Sequence, residues 1–284
     1  MADPGGQGRS SRVLVLGGTG KTGRRVADAL RRRGLDPAVA SRRGPVRFDW
    51  ADRATWEPAL EGVSAVYVVD SQSPDAPAEV RQLADLVAAA SQRLVLLSSR
   101  TYGEMGGERL ATERAVTGSD VQWTILRPAW FNQNFTEFEL FAPLLSDEGE
   151  LRLPTGNGRE AFVDLEDVAD VAAAALTEDG HAGRTYVLSG PRSLTFGEAV
   201  DGIARATGRL LRFVPVTEDA YRADLEARGH AADPVDQTLA VLRHIRLERG
   251  CEPTDGVREA LGRPPRDFDE YVARTDFVSY RSGA

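Results

Sequence analysis

Residues Gly17-Gly18-Thr19-Gly20-Lys21-Thr22-Gly23 could do chemistry because so many of them lack a side chain. Glycines let a backbone turn sharply and come close to a charged group, and Gly18, Gly20 and Gly23 fit G-x-G-x-x-G. The apolar run Val13-Leu14-Val15-Leu16 precedes them, and Val26-Ala27 with Ala29-Leu30 resumes at helical spacing. This order predicts a strand, a glycine turn and a helix N-terminus whose N–H groups and dipole hold a pyrophosphate. Gly20-Lys21-Thr22 also looks like the end of a triphosphate-binding loop. That motif needs a glycine five residues before Gly20, and Val15 stands there, so the loop is too short for a kinase or ATPase.

Further candidates fall at the ends of later apolar runs. The second run ends Ser41-Arg42-Arg43, where sheets that bind NAD usually place an acidic residue. Asp36 precedes the run and so lies at its wrong edge. A guanidinium suits a 2′-phosphate, which points to NADP(H), with Arg42 as the main contact and Arg43 and Ser41 beside it. Phe48-Asp49-Trp50 ends the third run; Asp49 is expected to accept from an adenine amino group, with Trp50 or Phe48 flanking the ring. Tyr67-Val68-Val69-Asp70 ends the fourth and is expected beneath the nicotinamide ribose. Ser98 ends the fifth, facing nicotinamide or substrate, and Tyr102 lies on the loop that follows. Trp130, Phe131 and Asn134, with Phe135, follow the sixth and are expected to wall a substrate pocket.

Strands are predicted at Val13–Leu16, Ala38–Ser41, Val46–Phe48, Ala65–Val69, Leu94–Ser98 and Trp123–Arg127. Helical spacing covers Thr22–Arg33, Ala54–Leu60, Ala78–Ala90 and Glu108–Val116 between them. Alternating strands and helices imply an α/β fold, a Rossmann-type doubly wound parallel sheet with ligands outside the carboxyl ends of the strands. From Leu194 onward helices dominate: Phe196–Ala206, Glu218–Arg228, Pro234–Arg246 and Asp267–Thr275. The expected organisation is a frayed tail over 1–11, a dinucleotide-binding domain over 12–155 with a returning part near 160–190, and a smaller, mostly helical substrate domain over 191–284.

Composition narrows the classes. A chain of 284 residues, 42% hydrophobic, can build a full core. A net charge of −8 argues against nucleic acid as partner. No apolar run reaches the ~18 residues of a membrane span, and the polar start lacks the apolar centre of a signal peptide. The single Cys251 fits a reducing cytoplasm. No metal is expected, and His181, His230 and His244 read as surface or structural residues. The expected state is a monomer or homodimer acting on a small molecule.

Taken together, Gly17-x-x-Gly20-x-x-Gly23, the Ser41-Arg42 corner, Asp49, Leu97-Ser98-Ser99 and Leu126-Arg127-Pro128-Ala129-Trp130-Phe131-x-x-Asn134 resemble the NmrA-like atypical short-chain dehydrogenase/reductases. Gly20-Lys21-Thr22, Phe48-Asp49-Trp50 and Gly262-Arg263-Pro264-Pro265 are similar to the branch of that family containing fungal ergot-alkaloid reductases of the agroclavine dehydrogenase and festuclavine type. The likeness runs from Arg12 to about Phe277.

One departure bears on mechanism. Ordinary short-chain reductases carry Tyr-x-x-x-Lys after the fifth strand, whereas Lys21 is the only lysine among the 35 basic residues here. Arg109 and Glu113 fall at the two positions instead. The resemblance implies an NADP(H)-dependent reductase, and the missing pair favours an imine, iminium or conjugated acceptor, with Ser98 and Tyr102 orienting it. Two other readings remain open at the level of sequence: an NADP(H)-sensing regulator without turnover, and a lyase or isomerase on the same scaffold.

Overall fold

Short β-branched and leucine-rich runs alternate with amphipathic helices through the first half of the chain, and the computed structural model turns that alternation into one sheet. The structure describes residues 12–90 and 92–277. The tail expected over 1–11 lies outside the described residues. The strands of the first half are β1 (Arg12–Val15), β2 (Ala38–Ser41), β3 (Val46–Arg47), β4 (Val63–Val68), β5 (Arg93–Leu97) and β6 (Gln122–Pro128). Later come β7 (Glu150–Leu153), β8 (Arg159–Glu160), β9 (Arg184–Leu188), β10 (Leu194–Thr195) and β11 (Arg212–Pro215).

The main sheet has seven strands in the order β3-β2-β1-β4-β5-β6-β9. The pairs from β3 through to β6 are all parallel, with Val15 opposite both Val39 and Tyr67. This is a Rossmann-like fold, and the strand order reverses between β1 and β4, where ligands of such sheets collect. Helices α1 (Lys21–Arg32), α2 (Trp56–Leu60), α3 (Ala76–Ala89), α4 (Arg100–Met105) and α5 (Ala111–Thr117) connect the strands. Leu14, Leu16, Val66, Val68, Leu94 and Leu96 alternate onto one face of the sheet and bury there with Val80, Leu83 and Val87 of α3. An alternating set of that kind is the main stabilising term, about 1.5–3 kcal/mol for each fully buried large aliphatic side chain.

Two units emerge from the packing. Residues up to Arg127 group with Val168–Tyr186, and Pro128–Asp167 group with the chain from Val187 onward. Residues 128–155, read from the sequence as part of the first domain, thus pack in the second unit. Its core is aromatic: Phe135, Phe141, Phe162, Phe196 and Phe268 are all buried, with ring centroids of successive pairs 5.2–6.3 Å apart. Two small sheets accompany it, β7 with β11 in parallel and β8 with β10 antiparallel. Most of its helices lie where the sequence predicts, at Phe196–Thr207, Glu218–Ala227, Ala232–Arg246 and Phe268–Arg274.

Candidate functional site

The glycine turn is built by backbone sterics. Gly17 has φ +63°, the left-handed region that disfavours any side chain. A Cβ on Gly23 would lie 2.3 Å from the Gly17 carbonyl oxygen, and one on Gly18 would lie 2.7 Å from Val39 Cγ1. Gly20 caps α1 and donates its N–H to Gly17 O at 2.9 Å. No side chain caps α1 and its first turn holds no acidic residue. The N-terminal N–H groups are therefore presented to an anion rather than consumed locally. Lys21 and Thr22 occupy the first turn. Val69, just past β4, is the neighbour of Gly17, 3.7 Å from where its Cβ would be. On this ground the turn fits the pyrophosphate of a dinucleotide.

At the end of β2, Ser41 is half-buried while Arg42 and Arg43 are exposed. Neither guanidinium bonds to another described residue, although arginine ion pairs are common elsewhere in this chain. Two unpartnered, permanently charged forks thus stand beside the dinucleotide turn.

Asp49 takes part in a local turn. Its Oδ1 accepts from the Ala51 N–H at 3.1 Å, its N–H donates to Thr55 Oγ1 at 3.0 Å and its carbonyl accepts from Trp56 Nε1 at 2.8 Å. Oδ2 is left for a ligand. Phe48 and Trp56 are buried and stacked at 5.6 Å, so of the two aromatic candidates only Trp50 keeps accessible surface. In β4, Tyr67 is fully buried and its hydroxyl lacks a well-formed hydrogen bond. Burial pushes its phenol well above the usual range, opposed in part by the Thr22 side chain. Asp70 follows, with Oδ1 accepting from both the backbone and the side-chain N–H of Gln72.

The reacting end is organised differently from the sequence expectation. The segment after Ser99 is a short helix, α4, rather than a loop, and Tyr102 lies on it, 38% exposed, its hydroxyl bonded to no described residue. Arg109 is exposed. Glu113, at the position ordinarily held by lysine, is buried on α5. It accepts the Ser98 hydroxyl proton on Oε1, and Arg127 of β6 closes a fork on the same carboxylate, Nε to Oε1 at 2.9 Å and Nη2 to Oε2 at 2.5 Å. The bonds to Glu113 raise the pKa of Arg127, against the opposing effect of burial. Gly103 makes room for this, since a Cβ there would sit 3.0 Å from both Cδ and Nη1 of Arg127. The Ser98–Glu113–Arg127 network was missed in the sequence, where only the positions of its members stood out.

Pro128 opens the second unit. Trp130 packs against Phe138, Phe141 and Phe196 at 5.9–6.3 Å, so much of its ring belongs to the aromatic core. Phe131 is half-buried and pairs through its backbone with Val163. Asn134 is buried at the start of the short helix Asn134–Glu137. Beside them, Gln133 donates to Asp164 Oδ1 at 3.1 Å and accepts the Leu165 N–H at 2.9 Å. His181 and His244 are buried rather than on the surface, and His181 Nδ1 bonds the Tyr186 hydroxyl at 2.9 Å. Among the described residues, no group of three His, Cys, Asp or Glu could hold a metal ion, and no helix is long and apolar enough to cross a membrane.

With this geometry in view, comparison with known proteins is direct. A family profile described as NAD(P)H-binding matches residues 17–179. The chain belongs to this NAD(P)H-binding family, and its cofactor is NAD(P)H. It is similar to the (4-alkanoyl-5-oxo-2,5-dihydrofuran-3-yl)methyl phosphate reductase of Streptomyces griseus, 35% identical over 92% of this chain and 96% of that one. It is 32% identical to the agroclavine dehydrogenase of Claviceps fusiformis, again over 92% and 96% of the two chains. In fold it matches the NADPH-dependent quinone oxidoreductase QOR2 of Escherichia coli, solved with NADPH, at a TM-score of 0.76 and 20% identity, over 92% and 98% of the chains.

Proposed function

We propose that the protein is an NADPH-dependent reductase that delivers hydride to a small-molecule imine or iminium ion, or to a conjugated C=C, in natural-product metabolism. The observation that carries this reading is Glu113. A buried carboxylate tied to Arg127 and Ser98 stands where a lysine would lower the pKa of a proton-donating tyrosine.

Reducing a ketone leaves an alkoxide, and enzymes normally place a proton donor there. Reducing an iminium ion neutralises a cation, so hydride transfer completes the step without a proton. The bound cofactor supplies that hydride. The chain's own part is to hold the dinucleotide at the glycine turn, to grip the 2′-phosphate with Arg42 and Arg43, and to orient the reacting end with Ser98 and Tyr102. The Claviceps fusiformis relative, named for dehydrogenating agroclavine, supports an acceptor of alkaloid type. The Streptomyces griseus relative is named for a dihydrofuranone whose ring C=C is conjugated to two carbonyls, and it favours the conjugated variant as the second reading. In that variant Tyr102 would protonate the product carbon.

Stopped-flow oxidation of NADPH against cyclic iminium salts, enones and ketones, repeated with Tyr102→Phe, tests the reading. Iminium turnover should survive the substitution. Enone turnover should survive or fall according to whether Tyr102 is the donor. Activity confined to ketones and abolished by Tyr102→Phe would overturn both variants.

A further inference from the structure

A hydroxyl has one proton and two lone pairs, and what it can offer a ligand depends on where the proton is already committed. At Ser98 that commitment is visible. The hydroxyl donates to Glu113 Oε1, and Glu113 does not return the bond, because Arg127 donates to both of its oxygens. Glu113 is sealed, its side chain only 7% exposed, so water does not compete for the proton. The Ser98 backbone N–H is also used, donating to Leu126 O at 2.8 Å. Ser98 is itself half-buried just past the carboxyl end of β5, next in the sheet to β4, which leads to Val69 and the glycine turn.

We propose that Glu113 is a positioning residue that fixes Ser98 as an acceptor-only group for an N–H donor, and that the donor is the carboxamide of the reduced nicotinamide. In NADPH this amide is the N–H-bearing group at the reacting end. A hydroxyl free to rotate would serve a carbonyl or an amide equally; one locked by a carboxylate discriminates between them. Ser98 therefore sets which way the carboxamide turns about its bond to the ring. The inference goes beyond the acceptor reading and does not depend on which acceptor is reduced.

Equilibrium titration of NADPH against its 3-acetylpyridine analogue, which keeps the carbonyl and lacks the N–H, reads the effect without turnover. Wild type should prefer NADPH by about five- to tenfold, the worth of one hydrogen bond. Ser98→Ala should bring the ratio near one, and Ser98→Thr should restore it. Glu113→Gln should also bring it near one, because a side-chain amide lets the hydroxyl point either way, and it should change the ratio no further in a Ser98→Ala background. Should Glu113→Gln fail to fold, Glu113→Asp, which withdraws the carboxylate from Ser98 by one methylene, takes its place with the same expectation. A wild-type ratio near one, or a ratio unchanged in Ser98→Ala, overturns the proposal. So does a loss in Glu113→Gln that is equal for both cofactors and persists in the Ser98→Ala background, since that would make Glu113 a buttress for Arg127 alone. Failure of the iminium and enone assays would leave this ratio untouched, so the two readings fail separately.

Discussion

A single arginine can decide which of two cofactors a reductase takes. Arg42 is exposed, next to the dinucleotide turn, and bonds to no described residue, so its charge is not spent within the fold. Arg42→Ala should weaken NADPH binding about ten- to a hundredfold, the loss of one charge-assisted contact of about 1.5–3 kcal/mol, and leave NADH nearly unchanged. Paired fluorescence titrations check this, and a wild type with equal affinity for the two cofactors would remove the argument. The exposed place of Arg42 at the end of β2 was legible because it depends only on a residue type at a strand end. Glu113 was not legible in the same way. Its meaning comes from three elements converging, Ser98 after β5, Glu113 on α5 and Arg127 in β6, and no spacing in the sequence records that convergence.

Within single elements the sequence is most readable where the backbone itself is constrained. The glycine turn was legible because each requirement is steric and local. Gly23 faces the Gly17 carbonyl so closely that Gly23→Ala must push α1 away from β1, with no flexible side chain to absorb the shift. The substitution should lower the melting temperature and raise the NADPH dissociation constant at least tenfold, both of which scanning calorimetry with and without cofactor reports. Retained affinity would mean that the turn does not carry the pyrophosphate. Helix α4 shows the opposite case. Six residues are too few for helical periodicity to register, and Gly103 in the middle reads as a loop signal. The structure gives that glycine a packing reason, the Arg127 guanidinium lying where a Cβ would go.

Across the molecule, the chain after Gly262 is fastened by buried carboxylates. Asp167, fully buried, accepts from Arg263 Nη1 and from the Arg266 N–H, both at 2.7 Å, and from the Arg266 guanidinium. Asp164, equally buried, accepts from Arg274 and Gln133. Asp167→Asn keeps the shape and removes the charge that two guanidiniums share. Because those guanidiniums are about one-third exposed, the expected cost is toward the low end for a broken ion pair, about 2–3 kcal/mol. Urea denaturation would measure it, and an unchanged midpoint would show that the pairing stabilises nothing. The sequence marked Gly262-Arg263-Pro264-Pro265 as distinctive without disclosing why. It also placed a boundary near 155 that the packing does not respect, because Phe135, Phe141 and Phe162 find Phe196 and Phe268 only through long-range contact.

The interleaving of the two units carries a consequence for synthesis. A nascent chain ending at Arg127 has made most of the first unit but lacks Val168–Tyr186, and between them comes Pro128–Asp167, which belongs elsewhere. When those residues leave the ribosome, three buried phenylalanines, Phe135, Phe141 and Phe162, emerge before Phe196 and Phe268, the rings that will cover them. Neither unit is encoded as one uninterrupted stretch, so premature termination before Tyr186 yields no complete unit at all.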